Sequence, residues 1–164
     1  MADRGGLVFD QVNGLPVHIL VLHAAVVLVP LLALAAIVYA VVSRWRSKLG
    51  WAVVLLAVVA PISAVVSKLS GTELYNRLLD QGMSGPGKVI LDDHMNYGTL
   101  TMWLSIALGV VALALVVLTL RAGAALPRIA EIAFAVVIVG LAAATGYYIF
   151  QTGDSGATAV WGTY

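Results

Sequence analysis

Four stretches of the chain carry almost nothing but apolar side chains, and each reaches the ~20 residues that a helix needs to cross a bilayer. They run approximately over 16–42, 49–69, 99–120 and 129–150. Their apolar character is continuous rather than alternating, which predicts spanning helices and leaves no β-barrel reading. SRWRSK joins the first two runs and RAGAALPR the last two, links so short that each pair must be antiparallel neighbours. The expected fold is all-α and integral to the membrane: a four-helix transmembrane bundle of two antiparallel hairpins, with 1–164 as a single transmembrane domain.

Polar residues punctuate this pattern. Asn13 suits an N-cap for the first helix and Pro16 its first turn, while Pro30 and Pro61 fall mid-span, where each frees a backbone carbonyl four residues earlier. In the middle segment, Ser70 or Thr72 precedes Leu74, Leu78 and Leu79 at helical spacing, which predicts a short amphipathic helix on the outer membrane surface. GMSGPG then breaks the chain, and Pro86 is placed to start the third helix before its lipid-embedded part. Gly153 and Gly156 suggest a turn after the fourth span, and Gly98, Gly109 and Gly140 permit close helix contact. No internal repeat stands out.

Charge orients the bundle. The two short links hold Arg44, Arg46, Lys48, Arg121 and Arg128, whereas most acids lie on the other side, so the links are expected in the cytoplasm and both termini outside. Lys68, near the outer end of the second span, reads as a snorkelling side chain. Only 10% of residues are charged and 62% are hydrophobic, which makes the lipid bilayer the expected surroundings. A net charge of +1 without a clustered basic face argues against nucleic acid. The absence of cysteine removes disulfides, thiolate metal sites and cysteine nucleophiles together. No nucleophile–base set, phosphate loop or HExxH is present, so an enzyme is not expected. The first apolar run is also far longer than a signal-peptide core and should remain in the mature protein.

Chemistry therefore concentrates on three histidines, since an ionisable side chain at membrane depth is costly and marks a candidate site. His18 and His23 open the first span, and His94 precedes the third. His23 lies seven residues after Pro16 and His94 eight after Pro86, which favours a His23–His94 pair at matched depth across the bundle, with His18 nearer the headgroups. Two facing imidazoles suit axial ligation of haem b, with Tyr97 and Trp103 as wall residues. Asp92 and Asp93 offer another chemistry: a non-haem metal on His23, His94 and Asp93, a proton-handling site, or an acceptor that fixes an imidazole tautomer. Plain hydrogen bonding of each imidazole near the interface remains a third reading.

HILVLH in the first span, DDHMNYG before the third and TGYYIFQTGDSGATAVW at the end resemble a bacterial family of small membrane proteins, domain of unknown function twenty-two thirty-one, over nearly the whole chain. The resemblance maps the family's histidines onto His18, His23 and His94, and its glycine-rich motif onto Gly146, Gly153, Asp154 and Gly156; Ile19 and Ala25 stand where the family often has proline. The GDSGA ending is most similar to actinobacterial members. Relatives of the family are sometimes fused to, or encoded beside, Rieske iron–sulfur and cytochrome c-type domains. The resemblance thus implies a bacterial cytoplasmic-membrane protein of respiratory electron transfer, either a haem carrier or a noncatalytic accessory subunit packed on a respiratory complex.

The orientation is directly testable. Single cysteines at Ser47 and Thr163 should label oppositely with an impermeant thiol reagent in intact cells, Thr163 reacting and Ser47 protected; reaction at Ser47 without permeabilisation would reverse the topology.

Overall fold

The computed structural model describes residues 11–12, 15–123 and 126–162; the expected cap Asn13 lies outside the described residues. Gln11–Val12 (β1) and Leu15–Pro16 (β2) pair as a minimal antiparallel ladder, Gln11 opposite Pro16 and Val12 opposite Leu15. Helix α1 then spans Val17–Val41. A 3₁₀ turn over Ser43–Trp45 leads into α2, Arg46–Asp80, followed by α3, Gly85–Ala122, and α4, Arg128–Trp161. All four helices are long and apolar enough to cross a membrane, so the all-α bundle of two hairpins is the observed architecture.

Three helices outrun their apolar stretches. Helix α2 continues to Asp80 and absorbs the segment expected as a separate surface helix, α3 begins at Gly85 rather than near Thr99, and α4 runs through Gly153 and Gly156 to Trp161 instead of turning there. Hydropathy reports which turns sit in lipid, whereas a helix goes on until its backbone is forced out of helical geometry. That happens after Asp80, where Gly82 at φ 92° and Gly85 at φ 65° make the turn into α3, and after Ala122, where left-handed Gly123 caps α3. At 1.5 Å per residue α2 is about 52 Å long, well beyond a hydrocarbon core of about 30 Å.

Each helix packs on two neighbours, α1 on α2, α2 on α3, α3 on α4 and α4 on α1, while α1 and α3 face each other across the centre with little contact. The buried positions recur at alternating intervals of four and three. In α1 they are Ala25, Val29, Leu32, Ala36 and Tyr39; in α3, Thr101, Ser105, Leu108, Ala112 and Leu115. Val53, Ala57, Ala60 and Ala64 of α2 and Ile138, Ala142 and Thr145 of α4 follow the same rule. A mean repeat of 3.5 residues keeps one stripe of each helix facing the axis, as in left-handed bundles. Since lipid solvates apolar side chains as well as protein does, close fit between small residues has to supply the attraction.

The closest fit is between α2 and α3. Pro61 cannot donate to the carbonyl of Ala57, and that oxygen lies where a Cβ on Gly109 would stand, 2.7 Å away, with Pro61 Cγ 3.2 Å away. Glycine thus admits the freed carbonyl against the facing helix. Gly98 and Gly140 do no such work: a Cβ at Gly98 would meet Thr152 at an ordinary 3.9 Å, and one at Gly140 meets nothing within 4 Å.

At the end of the short links, Arg46 ties three helices together. Its guanidinium pairs with Glu131 of α4 at 2.7 Å and donates to the carbonyls of Tyr39 and Ala40 at 3.1 Å each, covering the negative end of α1. The Tyr39 hydroxyl in turn bonds Thr119 of α3 at 2.8 Å.

The α2–α3 fit predicts a contrast between two glycines. Gly109→Val should lower stability by about 1–3 kcal/mol through overpacking, whereas Gly140→Val should stay within about 0.5 kcal/mol of the parent. Thermal midpoints of the detergent-purified variants measure this, and equal midpoints would refute the contact.

Candidate functional site

Followed toward the opposite end, the packing stripes lead to the histidines. Stepping back from Ala25 by three and four gives Leu22 and His18; stepping back from Thr101 gives Gly98 and His94. Both imidazoles therefore lie on the axial stripes of diagonal helices. Their ring centres are 6.2 Å apart and their planes nearly perpendicular, at 86°.

Each ring is fixed by the second helix of its own hairpin, in the same way. His18 Nδ1 donates to the Ser67 carbonyl of α2 at 2.9 Å and lies 3.3 Å from Ser70 Oγ, whose own proton goes to that carbonyl at 3.1 Å. His94 Nδ1 donates to the Thr152 carbonyl of α4 at 2.9 Å and lies 3.3 Å from Ser155 Oγ, which donates to the Gln151 carbonyl at 2.7 Å. A glycine follows each serine. A Cβ on Gly71 would stand 3.0 Å from His18 Cε1, and one on Gly156 2.9 Å from His94 Cε1, so only the bare backbone lets the rings lie this close.

The two hairpins thus repeat one arrangement: a histidine on the first helix, and hydroxyl-x-x-Ser-Gly on the second, SKLSG at 67–71 and TGDSG at 152–156. This corrects the expectation that the chain has no internal repeat. With Nδ1 committed to a carbonyl, a neutral imidazole carries its lone pair on Nε2, so either ring could accept a hydrogen bond or bind a metal through that nitrogen. Orientation of a ligand histidine by a backbone carbonyl is also the usual outer-shell pattern around metals.

A cavity of about 750 Å³ surrounds the pair, lined from all four helices and mainly apolar, within the range of cofactor pockets. From Val41 to His18 is about 35 Å along α1, which puts the site at the membrane level opposite the basic links.

The expected His23–His94 pairing is therefore replaced by His18–His94. Counting from Pro16 and Pro86 misjudged depth, because α3 starts several residues farther from the bilayer centre than α1 does. Face decides as well: His23 is five residues past His18 and off the stripe, and although it borders the cavity it is exposed. The acids do not join. Asp92 takes Lys88 at 2.6 Å and the Tyr75 hydroxyl, Asp93 is exposed, and among the described residues no group of three or more His, Asp or Glu is placed to hold a metal ion. The set of His23, His94 and Asp93 is thus not assembled. Trp103 points outward at 61% exposure and Tyr97 packs on Tyr148, so neither forms a cavity wall. Leu74 and Leu78, expected on the membrane surface, line the cavity instead.

The chain matches the family described as predicted membrane protein (DUF2231) over residues 14–163, which includes every residue of this site. It belongs to that family. No curated protein and no solved structure gives a significant match.

Proposed function

We propose that this DUF2231 protein is a small electron carrier of the bacterial cytoplasmic membrane, holding one b-type haem between His18 and His94, and is not an enzyme in its own right. The observation that carries the reading is the His18–His94 geometry. The two imidazoles come together from diagonal helices with their ring centres 6.2 Å apart, so one haem iron between the hairpins could be held by both. The cavity volume, its apolar lining and the side-chain-free position at Gly98 suit a flat macrocycle better than a lone ion.

In this reading the residues of the chain divide the work. His18 and His94 would hold the iron through Nε2, and the haem would supply one-electron transfer. Ser67, Thr152, Gly71 and Gly156 fix the two rings, and the apolar stripes keep water from the inner side. A single centre near one surface exchanges electrons on that surface. The positive-inside rule puts it outward, where Rieske or cytochrome c-type proteins are the natural partners.

The reduced absorption spectrum of the purified protein tests this. Wild type should show a Soret and an α band after dithionite, lost in His18→Ala and in His94→Ala and kept in His23→Ala. Bands that survive in both of the first two variants would reject the ligand pair, and a colourless wild type that co-purifies with a respiratory complex would support the accessory-subunit role instead.

A further inference from the structure

The two halves of the cavity differ at one corresponding position. Lys68 follows Ser67 in the first hairpin, and Gly153 follows Thr152 in the second. Lys68 lines the cavity and reaches across from α2 to α3, its Nζ donating to the Met95 carbonyl at 3.3 Å rather than snorkelling to the headgroups. Gly153 lines the cavity beside Val26 and Ile149, where a Cβ would meet nothing within 4 Å, and the exposed Asp154 borders the same opening on its outer side. One edge of the cavity therefore ends in an ammonium and the other in an open rim of Val26, Ile149 and Gly153 with a carboxylate, Asp154, outside it. Among the described residues that line it, none is an aspartate or glutamate.

A half-buried ammonium at the rim of an apolar cavity, with one long bond to a neutral carbonyl, keeps donors for a stronger, charged acceptor. We infer that Lys68 anchors a carboxylate of the ligand, so that the cavity takes a flat dicarboxylate with its acidic edge turned toward the gap between α2 and α3. The identity of that ligand as a tetrapyrrole rests on the haem reading. Lys68 would exchange its 3.3 Å carbonyl contact for a charge-assisted bond. The open edge at Gly153 accepts the apolar side of the same ring, so the near-symmetric pocket binds it in one orientation.

Metal-free protoporphyrin IX and its dimethyl ester separate this from ligation, since neither offers iron to the histidines. With the full chain in lipid nanodiscs, fluorescence anisotropy against empty nanodiscs should show the diacid bound about tenfold more tightly than the diester. Lys68→Met should bring the diacid to the level of the diester and leave the diester unchanged, and Lys68→Arg should keep the preference. Equal binding of the two by wild type, a preference that survives Lys68→Met, or no uptake beyond empty nanodiscs would each overturn the inference. A missing haem spectrum alongside an intact diacid preference would reject the iron reading alone.

Discussion

An imidazole placed among apolar helices must have its ring nitrogens satisfied, and the bundle is arranged around how that is done. In each hairpin one backbone carbonyl on the returning helix accepts from Nδ1, and a glycine one turn on lets the ring lie against the backbone. A carbonyl in a helix already accepts from its own ladder, so the histidine uses the second lone pair and breaks nothing. Each histidine thus becomes a tie between the two helices of its hairpin, and the two rings meet between the hairpins with their centres 6.2 Å apart. The price of that tie is the glycine, which helices otherwise disfavour.

Because the tie is made twice, the molecule is a tandem of two similar hairpins. His18 and His94 sit at the same phase of their packing stripes, as do Gly71 and Gly156, so the two hairpins bring their rings together when they pack side by side. Repeats related about an axis along the membrane normal are a known architecture of membrane proteins, with sites at the interface between halves. The opposite end is built differently: Arg46, Glu131, Tyr39 and Thr119 form one asymmetric lock. One end therefore fixes the assembly and the other presents the cavity.

The four spans and the hairpin pairing were legible in the sequence because the transfer energy of about twenty apolar residues outweighs every local preference, and short links permit one pairing only. The helix ends were not, since α2 continues through Ser70 and Gly71, and α4 through Ser155 and Gly156, past the apolar stretch and against the histidines, where hydropathy carries no signal. The site was half legible. All three histidines stood out as ionisable groups at membrane depth, yet a depth count from Pro16 and Pro86 chose His23 over His18. The 4-3 spacing that runs from His18 through Leu22 and Ala25 to Val29, and from His94 through Gly98 and Thr101 to Ser105, is present in the chain and marks the two histidines that the fold brings together. The repeat escaped notice because its members share chemistry rather than identity: Ser67 corresponds to Thr152, and Ala25 to Thr101.

The same geometry determines how the central claim is tested. If His18 and His94 together hold one haem iron, both imidazoles are needed to keep that iron low-spin. Electron paramagnetic resonance of the oxidised protein reads this directly. The account predicts a low-spin ferric signal in the wild type that becomes high-spin or is lost in His18→Ala and in His94→Ala; a high-spin wild-type signal, or a low-spin signal that survives both substitutions, would contradict it.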